Sequence, residues 1–179
     1  MLFQETWRIK LDWSDELPDE IFQSWRNFRN GLQDLGSIKI PRWINITHHT
    51  IIELHGFSDA SQMAYAGVIY IKATDTNGEV SSKLLMSRTK VAPIKQHWSV
   101  AKLELCAAHL LSKLYDYIIK AFGWQDKKFY AWCDSKIVLA WLKGDPSRWK
   151  IFVANRVSEI CLLAPNTEWR YVHTKDIQC

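Results

Sequence analysis

No two cysteines of this sequence stand close together. Cys106, Cys133, Cys161 and Cys179 are its four cysteines, and none forms a C-x-x-C pair. That spacing excludes the familiar zinc sites and a dense disulfide framework. Three of the four lie in apolar runs and read as buried free thiols in a reducing compartment. No run approaches the ~20 apolar residues of a membrane-spanning helix, so no membrane partner is expected. The N-terminal MLFQETWRIKLDW interrupts its apolar stretch with charges and carries no cleavage-site pattern, which excludes a secretory signal. Internal repeats and low-complexity tracts are absent. The charge is not lopsided either: 23 Lys and Arg stand against 19 Asp and Glu, with a net charge of +4. A balance this mildly basic is compatible with a polyanion partner without demanding one. The expectation is a soluble, intracellular protein.

What the sequence does have is length and apolar content enough for a packed domain. Its 179 residues are 47% hydrophobic and 23% charged, the make-up of one globular domain with a short appendage. Ten tryptophans are first of all core or interface material. Residues 1–50 read as a helical lead-in. Ser14 to Glu20 brings acids and Pro18 to a helix start. Ile21, Phe22, Trp25, Phe28, Leu32 and Leu35 follow at helical spacing, and Gly36 is a stop. Residues 37–46, with Pro41, are expected to be extended. This stretch lacks the further elements for a core of its own, so it is expected to pack on something else.

Residues 51–179 read as an α/β domain in the order β-β-β-α-β-α-α-β. Strands are expected near 51–58, 64–73 and 79–89, the last two joined by Asn77-Gly78, which suits a two-residue hairpin turn. After a loop over 91–97, a long helix runs from Trp98 or Ser99 to Phe122. Residues 129–133 are continuously apolar, as in a central parallel strand covered on both faces. A helix follows directly after Ser135. A further helix over 148–163 turns Phe152, Val153, Val157, Ile160 and Cys161 inward and leaves Lys150 and Arg156 exposed. A last strand covers 167–173.

Three acids fall at telling places. Asp59 ends the first strand. Glu104 lies about 200° round its helix from Lys102 and points among Val100, Ala101, Ala107, Ala108 and Leu111. Asp134 ends the central strand, where ligand sites of α/β sheets cluster. Each also has a plain reading: a turn former for Asp59, a buried ion pair for Glu104, an N-cap for Asp134, unless Ser135 takes the capping. Three carboxylates from separate elements suit hard divalent cations, which take oxygen ligands.

With these pieces the chain resembles the ribonuclease H family, and more narrowly the ribonuclease H region of BEL/Pao-type retrotransposon polyproteins. The resemblance rests on His55-Gly56-Phe57-Ser58-Asp59-Ala60-Ser61, Tyr65-Ala66-Gly67-Val68, Lys90-Val91-Ala92-Pro93, Lys102-Leu103-Glu104-Leu105-Cys106-Ala107-Ala108, Trp132-Cys133-Asp134-Ser135, Phe152-Val153-Ala154-Asn155-Arg156-Val157 and Trp169-Arg170-Tyr171-Val172. The lead-in, with Leu11-Asp12-Trp13, Trp25 and Ile40-Pro41-Arg42, resembles the segment that joins reverse transcriptase to ribonuclease H.

The resemblance implies a ribonuclease H-like fold, with a five-stranded mixed sheet (three antiparallel strands, then parallel ones) flanked by helices. Asp59, Glu104 and Asp134 would be catalytic. They would hold Mg2+ or Mn2+, two ions in a complete site, and cut the RNA strand of an RNA–DNA hybrid. The family's fourth Asp, in an Asn-Pro-Ala-Asp-like motif, has no match here: Asp176, the candidate for it, corresponds to the residue before that motif, and the final helix is missing. The starting Met then suggests a fragment of an element or a gene derived from one. Substrate contacts would come from Ser61, Lys90, Lys95, Ser135, Arg148 and Lys150, basic residues beside aromatics such as Trp141 and Trp149 suiting phosphate contact with stacking. The expected partners are an RNA–DNA hybrid or other nucleic acid and the reverse transcriptase domain of a parent polyprotein. The expected place is a cytoplasmic virus-like particle or the nucleus. The alternative is a catalytically inactive, element-derived fold that binds nucleic acid or a protein.

Overall fold

A computed structural model of the chain describes residues 2–44, 46–94 and 98–173. It divides into two compact units, Met1–Arg42 and Trp43–Cys179.

The first unit holds helix α1 (Leu2–Arg8), helix α2 (Asp19–Gly31) and a 3-10 turn over Leu32–Ser37. Helix α2 starts behind Pro18 with Asp19 and Glu20 in its first turn, acids where the positive end of the helix dipole favours them. It stops earlier than the apolar spacing predicts. Gly31 is a weak helix former, and there the chain tightens into the 3-10 turn that carries Leu32 and Leu35. Helix α1 was not anticipated by the apolar spacing, and residues 38–44 have no regular strand. Neither helix has a buried residue. Their contacts are rings: Phe3 meets Trp25 edge-on at 6.4 Å, and Trp25 lies 5.8 Å from Phe28.

The second unit is built on β1 (Ile51–Ala60), β2 (Ala64–Thr74), β3 (Val80–Val91), β4 (Lys128–Cys133) and β5 (Glu168–Tyr171). The sheet order is β3-β2-β1-β4-β5. The β1–β2 and β2–β3 pairs are antiparallel; β1–β4 and β4–β5 are parallel. This is the expected five-stranded mixed sheet. The β2–β3 connection differs from the two-residue turn. Asp75 Oδ1 accepts the backbone N–H groups of Asn77 and Glu79, closing a five-residue loop between the paired Thr74 and Val80, with Gly78 at φ +82°.

Alternation along β1 buries Ile52, Leu54, Gly56 and Ser58 on one face, and helix α3 (Val100–Phe122) lies against it. Two glycines set how closely. A Cβ on Gly67 would stand 3.2 Å from the backbone of Leu111, and one on Gly56 would stand 2.8 Å from the side chains of Leu111 and Phe129. Gly123, left-handed at φ 69°, ends α3. One core cluster joins β1, β2 and β4 to Leu111, Leu114, Tyr115 and Ile118, with Ile44 and Ile46 packed on its rim. The sequence pattern had read those two isoleucines as part of the lead-in. The second cluster gathers Leu105, Cys133 and Val138 with Val153, Val157 and Ile160, from helices α4 (Lys136–Lys143) and α5 (Ile151–Leu163).

Two expectations in α5 need correction. Cys161 is exposed, because its position falls outside the Val153-Val157-Ile160 stripe. Arg156 is half-buried, since its guanidinium lies 3.5 Å from the Phe152 ring centroid and 5.6 Å from that of Trp98. No helix among the described residues is long and apolar enough to cross a membrane.

Candidate active site

The parallel register pairs Ser58 of β1 with Cys133 of β4. Asp59 and Asp134 are therefore the next residues along, leaving adjacent strands at the same end of the sheet. Asp59 is half-buried, and its Oδ1 accepts the Ala60 N–H at 2.7 Å. Glu104 sits in the second turn of α3, also half-buried. Burial is the main reason that its carboxyl is held above the usual range; the charges of Asp134 and Asp59 push it the same way, and a hydrogen bond from Ser135 opposes them. The three elements thus bring the predicted acids into one electrostatic neighbourhood.

They do not close onto a point. Among the described residues, no three His, Cys, Asp or Glu side chains stand close enough to hold one ion. The chemistry of the donor set nevertheless fits a hard cation. Burial pushes the neighbouring Cys133 thiol up to about 11, so it stays protonated and offers no soft thiolate. What remains at this end of the sheet is carboxylate oxygen, the ligand type of Mg2+ and Mn2+.

Ser135 is only 6% exposed. Its Oγ accepts the Val138 N–H at 3.3 Å, capping α4, and its hydroxyl serves Glu104. Both of its bonds are internal, whereas the sequence reading had placed it on nucleic acid. That Ser135 rather than Asp134 caps the helix was one of the two alternatives open in the sequence.

The other expected contacts are scattered. Ser61 is exposed in the β1–β2 turn, where its Oγ accepts the N–H groups of Met63 and Ala64. Lys90 is exposed near the end of β3; Arg148 and Lys150 are exposed between α4 and α5. Trp141 and Trp149 pack against the second core cluster, so they are not stacking surfaces beside those charges. Lys95 and Asp176 lie outside the described residues. Sequence reasoning missed the setting of Arg156, because cation–ring contacts leave no trace in helical periodicity.

The sequence matches the model of a family described as "Pao retrotransposon-like RNaseH-like domain" over residues 1–135. That span includes the lead-in, Asp59, Glu104 and Asp134. No curated protein matches the chain. Among solved structures, the foamy viral protease-reverse transcriptase in complex with dsDNA is similar with a TM-score of 0.57 at 14% identity, over 97% of this chain and 33% of that one. LC11-RNase H1 in complex with RNA/DNA hybrid gives a TM-score of 0.47 at 12% identity, covering 71% and 88%. RNase H1 of Halobacterium salinarum NRC-1 gives 0.43 at 11%, covering 69% and 87%.

Proposed function

The chain belongs to the Pao retrotransposon-like RNaseH-like domain family, and on that premise we propose that it is a metal-dependent endonuclease that cuts the RNA strand of RNA–DNA hybrids. The observation that carries the reading is the electrostatic coupling of Glu104 to both strand-end aspartates. A perturbed carboxylate set against two others at the strand ends of an α/β sheet supports a functional site. Asp59, Glu104 and Asp134 would hold Mg2+ or Mn2+, two ions in a complete site, which supply activation of a water and stabilisation of the leaving oxygen.

The chain's own residues do the positioning. The β1–β4 register brings Asp59 and Asp134 out side by side. The approach of α3 over Gly67 carries Glu104 to them. Ser135 donates to Glu104 and favours its ionised form, the form that binds a cation. Lys90, Arg148 and Lys150 are exposed cations suited to backbone phosphates of the hybrid. The lead-in, which falls within the family match, is proposed to adjoin a reverse transcriptase domain of a parent polyprotein. On this reading the protein works where reverse transcription runs, in a cytoplasmic virus-like particle or the nucleus.

The test is cleavage of a labelled hybrid in Mg2+ and in Mn2+. The wild type is expected to cut. Asp134→Ala is expected to lose roughly 100-fold or more, since a metal's contribution amounts to several kcal/mol of barrier. Equal cleavage by both proteins sinks the proposal. One observation favours a second reading, a non-catalytic fold that binds nucleic acid or a protein: among the described residues no three His, Cys, Asp or Glu side chains are placed to hold one ion. Hybrid binding that survives loss of all three acids, with no cleavage by the wild type, decides for it.

A further inference from the structure

An isolated helix as short as α2, with its 13 residues, is marginal in water and is normally held by packing one apolar face. Helix α2 has such a face. Ile21, Phe22, Trp25 and Phe28, with Leu32 just past its end, fall within about 120° of one another round the helix. Little covers them. The helix buries no residue, and Phe22, Phe28 and Leu32 are 43%, 53% and 40% exposed. Phe3 of α1 meets Trp25 edge-on in the middle of the stripe, and the rest of the stripe stays open.

The charges beside the stripe are ordered along it. Asp19 stands at the N-terminal end of α2, and Arg26 and Arg29 stand towards the C-terminal end. All three lie within about 60° of Phe22 round the helix, so they border one edge of the apolar face. The Arg26 guanidinium is 6.0 Å from the Phe22 ring centroid. Among the described residues, no ion pair involves Asp19, Arg26 or Arg29. An acid at one end and bases at the other complement the same helix running the opposite way. In a two-fold antiparallel pair this edge meets itself. When Phe22 and Trp25 of one copy pack against Trp25 and Phe22 of the other, each Asp19 falls opposite the turn between Arg26 and Arg29. A parallel pair sets acid against acid and base against base.

We propose that α2 is a self-association surface, which takes the α2 of a second copy of this chain in an antiparallel pair. The helix is about 20 Å long at 1.5 Å per residue, and two helices this short bury less than the ~800 Å² per partner of a standard interface. Association is therefore weak, with a dissociation constant on the order of 10–100 µM. In dilute solution the first unit stays open, and the dimer shields it. The pairing is independent of the carboxylates and of whether they support cleavage.

The experiment is sedimentation equilibrium of the full chain between about 5 and 300 µM, a range that brackets the expected dissociation constant. The average mass of the wild type is expected to rise from monomer towards dimer. Two charge-reversed proteins are run beside it: Asp19→Lys, and the double variant Arg26→Glu with Arg29→Glu. All three positions are exposed, so neither protein loses a buried contact. Each alone places like charges along the shared edge and is expected to associate about ten-fold or more weakly. An equimolar mixture of the two restores opposite charges and is expected to dimerise as the wild type does, which loss of folding in either variant could not produce. Trypsin cleavage after Arg26 and Arg29 of the wild type is expected to slow as its concentration rises. A wild type that stays monomeric to the top of the range overturns the proposal. So do variants that associate as well as the wild type, and a mixture that stays as weak as its components.

Discussion

The surroundings of Glu104 work against its charge. Its carboxyl is held above the usual 4.5 by burial and by two aspartates. The folded protein then binds this proton more tightly than the unfolded chain does. Between 4.5 and the raised value, stability falls as pH rises, and above it the penalty is complete. Glu104→Gln removes the penalty. Melting curves across pH are expected to show the variant above wild type at pH 7–8 and the two converging below pH 4.5. On the proposed function, Mg2+ raises the wild-type Tm and leaves the variant unmoved. Ser135 acts on the same proton in the opposite direction. Ser135→Ala costs about 1 kcal/mol through the lost cap of α4. It also lets the Glu104 carboxyl rise further, so the acidic limb of a cleavage–pH profile moves to higher pH. Ser135→Thr, which keeps a hydroxyl, restores the limb, and an alanine profile that stays in place refutes the link. Glu104 was legible in advance because 100° per residue fixes which way a helical side chain points. Arg156 was not: a lone charge beside an apolar stripe reads as solvated, and only the folded rings of Phe152 and Trp98 bring it in.

At the scale of elements, the site depends on how closely α3 lies on β1 and β2. Gly67 controls the approach, since a Cβ there meets the Leu111 backbone at 3.2 Å, and a helix backbone cannot swing aside as a side chain does. Gly67→Ala is expected to cost about 1–3 kcal/mol by overpacking and to lower cleavage by displacing Glu104 from the aspartates. Leu111→Ala empties a fully buried position and costs about 2–5 kcal/mol, but leaves the backbone seat of α3 in place. Urea midpoints paired with cleavage rates separate the two. The glycine variant loses more activity than its stability loss explains, and the leucine variant does not. The strands, α3 and α4 could be read from alternation, the helical period and the Gly123 stop. Element ends at 3-10 segments could not, because Leu32–Ser37 and Pro146–Arg148 keep a near-helical spacing of side chains. The Asp75 loop replaced a two-residue turn because its carboxylate offered the backbone two acceptor bonds that the Asn77-Gly78 pair alone does not reveal.

Across the whole molecule the two units are held by different means. The order of strands and the mixed sheet were accessible from the run of elements and from the matching motifs. How the three carboxylates are set relative to one another was not, because it depends on packing between segments far apart in sequence. Unit Trp43–Cys179 has two buried clusters. The helices of unit Met1–Arg42 bury nothing, and Trp7 and Trp13 are 78% and 101% exposed. A segment of about forty residues without a core has little to resist local opening. Lys10, Arg26, Arg29, Lys39 and Arg42 therefore offer trypsin sites in backbone that opens easily, whereas Lys102, Lys113 and Arg156 sit on helices packed into the core. Limited trypsin digestion is expected to remove the first unit and leave a fragment beginning at Trp43. That end is secured: the Trp43 carbonyl accepts from Lys83 Nζ at 2.7 Å, and Ile44 and Ile46 rest on the first core cluster. The fragment's Tm should lie within about 2–4 °C of the full chain's, the shift produced by roughly 1 kcal/mol in a domain of this size. A fragment that melts far lower, or digestion that enters α3 as fast as it removes α2, shows instead that the two units unfold as one.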